Sequence, residues 1–238
     1  SDIDAVIIAS PDHWHAVHSV HAANKKKHVF CEKPLSLTVE EGRAMVKAAR
    51  KSNIVFQTGS MQRSDARFRK ACELVVNGYI GELKNVKVNV GDPAVPYDLT
   101  AETIPAGLDW DMWCGPTEVL PFNEKLAPSS WDGPWPAWRD YKETGGGILA
   151  DWGAHMFDIA QWGIGADDTG PVQYIPPKDR TAKRGLRMMY ANGLEMFHED
   201  FGRGWAVEFN GTEGTLQVSR SFLDTKPEKI ATVEIKSG

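Results

Sequence analysis

Ala5-Val6-Ile7-Ile8-Ala9, stopped by Ser10-Pro11-Asp12, is the stretch whose reading decides the fold. A short unbroken apolar run, rich in β-branched residues and closed by a turn signal, is how a strand buried on both faces of a parallel sheet reads. A helix should follow, and His28-Val29-Phe30-Cys31 then gives a second strand of the same texture. Thr38 with Glu41 three positions on forms a capping box. It predicts a helix from there to about Ser52-Asn53, and Ile54-Val55-Phe56-Gln57-Thr58-Gly59 closes the pattern as a third strand. Strand, helix, strand, helix, strand describes two right-handed crossovers of one parallel sheet.

That pattern is half of a nucleotide-binding domain, and a domain boundary is expected near Met61. Gln62 and Arg63 lead into a helix from Arg67 to Asn77, ended by Gly78. From Leu83 to Val90 apolar and polar residues alternate, the mark of an antiparallel strand with one wet face. Between Asp92 and Trp138 the chain is crowded with Pro, Gly and Trp, including Asp109-Trp110-Asp111-Met112-Trp113-Cys114-Gly115-Pro116, Trp131, Trp135 and Trp138. So long a loop-rich segment is commonly functional. Indole faces stack on the CH faces of sugars, which suggests a carbohydrate pocket; hydrophobic anchoring of the loop accounts for the same residues. Further on, 186–190, 194–198, 205–209 and 215–218 are strand candidates separated by glycine-containing turns, which describes a meander. The expected fold class is α/β then α+β: a partial Rossmann-like parallel sheet over 1–61, then a largely antiparallel open sheet with helices on one face over 62–238.

Gly145-Gly146-Gly147 opens a periodic apolar stretch that ends at Gly163 and reads as one buried helix. Asp151 and His155, four apart, would share one face of it. A carboxylate beside an imidazole suits proton transfer, because the first orients the second and the second titrates near neutral pH. An ordinary hydrogen-bonded Asp/His pair fits the spacing as well. Glu32-Lys33-Pro34 sits at the carboxyl end of the second strand, where open α/β sheets bind ligands, and Pro34 restrains Lys33 to extended geometry. A solvated loop lysine is the plainer reading of that motif. His13, His15, His18 and His21 lack carboxylate or cysteine neighbours at ligand spacing, so no metal site is expected.

Across 238 residues the net charge is −5, which gives no reason to expect nucleic acid as a partner, and no apolar run approaches the roughly 20 residues of a membrane helix. Cys31, Cys72 and Cys114 are odd in number and unpatterned, and fit free core thiols in a reducing, cytoplasmic compartment. No signal peptide opens the sequence, whose start looks incomplete; a preceding export signal would make the protein periplasmic.

Taken together, Glu32-Lys33-Pro34, the Asp109-to-Pro116 tryptophan loop, Gly145 to Gly163 with Asp151 and His155, and Asn210-Gly211-Thr212-Glu213-Gly214 resemble the glucose-fructose oxidoreductase, inositol dehydrogenase and rhizopine catabolism family (Gfo/Idh/MocA). The resemblance spans nearly the whole chain. It implies a dinucleotide-binding domain followed by a sheet domain used for homo-oligomerisation, and oxidation of a sugar or cyclitol by NAD or NADP. The catalytic residues it implies are Lys33, Asp151 and His155. Ser10, Pro11, Asp12, His13, His15, Glu32, Lys33 and Pro34 would lie by the nicotinamide half of the cofactor, and Lys33, Arg63, Trp113, Arg139, Asp151 and His155 would meet the substrate. The family's opening GxGxxG turn and its βα units, roughly 60 residues, are absent here, as is its usual C-terminal segment. The chain is therefore expected to be a fragment of a longer enzyme or a short form that does not hold NAD in the family manner.

The mechanism so implied has His155 removing a hydroxyl proton as hydride leaves the same carbon, with Lys33 stabilising the oxyanion and Asp151 orienting the imidazole. Two alternatives stay open on the sequence. One is a glycoside hydrolase working without nucleotide, pairing Asp151 with Asp140 or Glu143. The other is a non-catalytic sugar-binding or assembly subunit.

Overall fold

The computed structural model describes residues 2–128, 133 and 135–235; Trp131 of the tryptophan-rich loop lies outside them. Chain order begins β1 (Ala5–Ile8), α1 (Asp12–Asn24), β2 (His28–Cys31), α2 (Val39–Ser52) and β3 (Phe56–Thr58). It continues with α3 (Ala66–Val76), β4 (Leu83–Asn89), α4 (Trp110–Cys114), α5 (Gly147–Asp151) and α6 (Gly153–Gly163). The last part is β5 (Gln173–Ile175), β6 (Arg187–Met189), β7 (Glu195–His198), β8 (Ala206–Gly211), β9 (Thr215–Val218) and β10 (Leu223–Lys226). By contact density the chain divides into two compact units, residues 1–59 with 93–151, and residues 60–92 with 152–238.

In the first unit the three strands form a parallel sheet in the order β1-β2-β3, with Ile8 opposite Cys31 and Cys31 opposite Thr58. Ile8, Ala16, Val29, Cys31 and Met45 make its core, bordered by Val6, Leu35, Ile54 and Phe56. α2 starts where the capping box places it: the Thr38 hydroxyl accepts the Glu41 N–H, and the Glu41 carboxylate accepts the Thr38 N–H. It stops at Asn53, in the left-handed conformation that Asn tolerates. The Pro-, Gly- and Trp-rich segment has a core of its own, built from Trp110, Cys114, Phe122, Leu126, Trp138 and Tyr141. Asp109 caps α4 by accepting the Met112 N–H, and the Trp110 indole N–H donates to the Leu120 carbonyl at 2.6 Å. Most of these indoles anchor the loop.

In the second unit seven strands follow the order β10-β9-β8-β4-β7-β6-β5. Every neighbouring pair is antiparallel except β4 with β7. The expected single meander is therefore two, β5-β6-β7 and β8-β9-β10, with the earlier strand β4 inserted between them. Val86 and Val88 of β4 are fully buried, as a central strand requires. The edge strands β5 and β10 escape the sequence reading because Gln173-Tyr174-Ile175 and Leu223-Asp224-Thr225-Lys226 carry little apolar pattern. α3 and α6 pack on each other and on β4, β8, β9 and β10. Val207 and Phe209 of β8 are buried, while Glu208 and Asn210 alternate with them in a polar network that includes Gln217.

The single helix expected from Gly145 to Gly163 is corrected to two, α5 and α6, parted at Trp152. The four-residue spacing of Asp151 and His155 thus does not fall within one helix. Gly145 is required by crowding, since a Cβ there would lie 2.8 Å from the Arg139 carbonyl oxygen and 3.0 Å from that of Trp138. Gly147 opens α5 at φ 72°, a left-handed conformation.

Candidate active site

β2 delivers Glu32-Lys33-Pro34 to its carboxyl end, and the Lys33–Pro34 peptide is cis. The Lys33 ammonium donates to Asp151 Oδ1 at 2.7 Å and to the Asp151 carbonyl at 3.0 Å. Side-chain exposure is 19% for Lys33 and 5% for Asp151, so this pair is largely withdrawn from water and the attraction is correspondingly strong. Arg139 Nε lies 3.7 Å from the same Oδ1. Its guanidinium stacks over Trp135 and Trp138, 4.1 Å from each ring centroid, and burial lowers its pKa. The other carboxylate oxygen, Asp151 Oδ2, is buried and has no hydrogen-bond partner among the described residues, an acceptor left open at this site.

Asp12, in the first turn of α1, belongs to the same cluster. Burial, then the charge of Asp151, pushes its carboxyl up to about 7, while Lys33 and Arg139 pull the other way. Burial also raises the carboxyl of Asp140. Asp12 and Asp151 thus share a poorly solvated corner with Lys33 and Arg139, and Asp12 titrates near neutrality.

The histidines of α1 act as ties between loops. His15 ring nitrogens lie 2.7 Å from the Pro34 carbonyl oxygen and 2.8 Å from that of Ser10, linking the ends of β1 and β2. His13 ring nitrogens lie 3.0 Å from the Trp113 carbonyl oxygen and 3.3 Å from that of Thr144, and burial lowers its pKa. His18 stacks on Trp14 at 4.7 Å, and the Ser10 hydroxyl lies 3.2 Å from its Nδ1. Pro11 occupies the N-cap position of α1. Glu32 accepts the Lys33 N–H at 3.2 Å, and its carboxylate fills the space beside Gly59. Trp113 stacks on Trp110 at 4.5 Å. The first unit therefore brings Lys33, Asp12, Arg139 and Asp151 together, with Ser10, Pro34, His13 and His15 around them.

The second unit holds the other two candidates. Arg63 spends its donors on Asp158, at 2.8 Å twice, and on Asp167, at 2.7 Å and 3.0 Å, and lies over the Trp162 ring. His155 is buried in the first turn of α6, with its ring edge-on to Trp152 at 5.9 Å. Trp152 in turn packs on Trp205 and carries the Arg220 guanidinium over its ring. Sequence reading did not single out Trp152, Trp205 or Arg220. Trp152 stands inside the glycine-rich stretch, so a signal was there; Arg220 carries no local one. The titration of Asp12 had none either, since it arises from burial by distant residues.

Ser10-Pro11-Asp12 and Glu32-Lys33-Pro34 close adjacent parallel strands, the place where open α/β sheets take ligands. With Asp151 Oδ2, these strand ends offer a ligand a cluster of polar groups. No GxGxxG turn stands in the sequence to cradle a pyrophosphate. Among the described residues no helix is long and apolar enough to cross a membrane, and Cys31, Cys72 and Cys114 are all free and buried.

A parallel α/β unit with charged side chains at its strand ends and a unit built on a mixed open sheet are the two parts of this fold. Residues 1–60 match the model described as "Oxidoreductase family, NAD-binding Rossmann fold", and residues 93–221 that described as "Oxidoreductase family, C-terminal alpha/beta domain". The chain belongs to the Gfo/Idh/MocA family. It is 38% identical to myo-inositol 2-dehydrogenase of Thermotoga maritima over 95 residues, 40% of this chain and 28% of that protein. It is 26% identical to 1,5-anhydro-D-fructose reductase of Ensifer adhaerens over 247 aligned positions, 99% of this chain and 62% of that protein. In fold it matches aldose-aldose oxidoreductase of Caulobacter crescentus with a TM-score of 0.61 at 20% identity, covering 94% of this chain and 60% of that one. The chain spans less than two thirds of each of these relatives.

Proposed function

We propose that this chain is part of an enzyme that oxidises a hydroxyl of a sugar or cyclitol, or reduces the matching carbonyl, with NAD or NADP. The observation that carries the reading is the Lys33–Asp151 pair at the carboxyl end of β2. The inositol and anhydrofructose names of the relatives support the substrate class, and the NAD-binding family description supports the cofactor. A bound nicotinamide cofactor would supply the hydride acceptor.

An ammonium has three N–H donors, and Asp151 takes two of those of Lys33. The third is left for the substrate oxygen, where a fixed positive charge stabilises the alkoxide as it forms. Asp151 keeps the ammonium aimed and offers Oδ2 to a neighbouring hydroxyl. His155, four residues on in the sequence, takes the hydroxyl proton. Arg139, Trp113 and Arg63 are the further substrate-contact candidates; Arg63 has its donors hydrogen-bonded to two carboxylates, and Arg139 has one carboxylate within ion-pair range. Ser10, Pro11, Asp12, His13, His15, Glu32 and Pro34 shape the cofactor side. The open sheet of the second unit is the proposed homo-oligomer surface, and the three buried thiols suit the cytoplasm.

The experiment is steady-state turnover of cyclitols and aldoses with both nucleotides, read as formation of reduced nicotinamide. Lys33→Met and His155→Ala should each lower kcat about a hundredfold or more. Near-wild-type turnover by both variants would overturn the assignment.

A further inference from the structure

The second unit contains a constellation that the proposed reaction leaves unused. Trp152 lies edge-on to His155, and its ring centroid is 4.6 Å from that of Trp205, which is 40% exposed. The Arg220 guanidinium stands 4.1 Å from the Trp152 ring centroid. Arg220 Nε donates at 2.9 Å to Gln62 Oε1, and Gln62 is buried with its amide nitrogen toward the Met156 sulfur.

What separates Arg220 from its neighbours is its counterion. In the same unit Arg63, Arg69, Arg184, Arg187 and Arg203 each meet a carboxylate. Among the described residues no carboxylate pairs with Arg220, nor with Arg180, nor with Arg67, whose guanidinium donates to the Arg220 carbonyl. A neutral amide and an indole face orient the Arg220 fork without cancelling its charge. A planar guanidinium so held is prepared for a bidentate anion, and the exposed Trp205 indole, packed on the same Trp152 ring, for the CH face of a pyranose.

We propose that Arg220, Trp152 and Trp205 form a recognition platform for an anionic carbohydrate, with the acidic group on Arg220 and the ring on Trp205. The inference rests on the reading of His155 as the proton acceptor, because Trp152 joins the platform to that imidazole.

The test is equilibrium binding to the protein, without turnover, followed by tryptophan fluorescence and by saturation transfer to the ligand. Glucuronate and glucose 6-phosphate are compared with glucose. At least one anionic sugar should bind about tenfold more tightly than glucose, the size expected of one charge-assisted contact, and the arm that responds tells carboxylate from phosphate. Arg220→Gln should erase the preference, Arg220→Lys should keep part of it, and Trp205→Ala should weaken all three ligands alike. Equal affinities in the wild type, no saturable binding of any ligand, or a preference that survives in Arg220→Gln overturns the platform. A chain that binds an anionic sugar through Arg220 yet never reduces NAD or NADP supports the platform and defeats only the dehydrogenase reading.

Discussion

Asp12 occupies the first turn of α1, where the helix dipole favours a negative charge by about 0.3–1 kcal/mol. Burial outweighs that preference and, with the nearby charge of Asp151, pushes its carboxyl from 3.8 to about 7. Between those values the folded state holds a proton that the unfolded chain has released. Stability from this residue is therefore complete below about pH 4 and is lost as pH rises through 7. Asp12→Asn, which keeps the neutral shape, should be more stable than wild type at pH 8 by on the order of a few kcal/mol, read as a higher melting temperature, and should melt at a similar temperature near pH 4. Superimposable melting-temperature profiles from pH 4 to 8 would show that Asp12 is not the titrating group. At this scale Lys33, Asp151 and His155 could be singled out by residue type and position, although the four-residue spacing of the last two does not fall within one helix. Asp12 was expected beside a cofactor from the resemblance, but nothing local marks it as an acid with a pKa of about 7, since that property belongs to the residues that bury it.

Among the elements, α2 was readable end to end because its start is encoded locally: Thr38 and Glu41 satisfy each other's backbone N–H groups. The glycine-rich stretch was readable as helical but not as interrupted. Periodicity reports which residues are apolar, and the break at Trp152 changes none of them. Its first glycine is fixed by packing against backbone, which cannot yield as a side chain tip would. Gly145→Ala should cost about 1–3 kcal/mol and displace Arg139, whose carbonyl and Cα stand 2.8 Å and 2.9 Å from the added carbon. Chemical denaturation measures the first effect, and loss of indole shielding at Trp135 and Trp138 by NMR measures the second. A variant as stable as wild type would mean that the approach to Arg139 is looser than the distances say.

At the scale of the molecule, the two units differ in how well they shelter their sheets. β4 and β8 lie inside a seven-stranded sheet, and Val86, Val88, Val207 and Phe209 are fully buried. The three-stranded sheet leaves Ile7 of β1 79% exposed, and its short strands have few neighbours to hold them. Sub-global opening follows such differences in burial. Native-state amide exchange should thus find the amides of β4 and β8 protected more strongly than those of β1, β2 and β3, by about tenfold or more. Equal protection in both sheets would contradict this ranking.

By itself the sequence determined the parallel βαβαβ start, the capping box of α2 and the alternating strands β4, β6, β7, β8 and β9, and it singled out the lysine, acid and imidazole proposed for the site. Each rests on neighbours within a few positions. Tertiary structure alone decided that β4 parts two meanders, that Lys33 and Asp151 form an ion pair across 118 positions, and that Arg220 comes to lie on Trp152 with no carboxylate paired to it among the described residues. Those outcomes depend on which surfaces meet, and no local pattern of side chains states that.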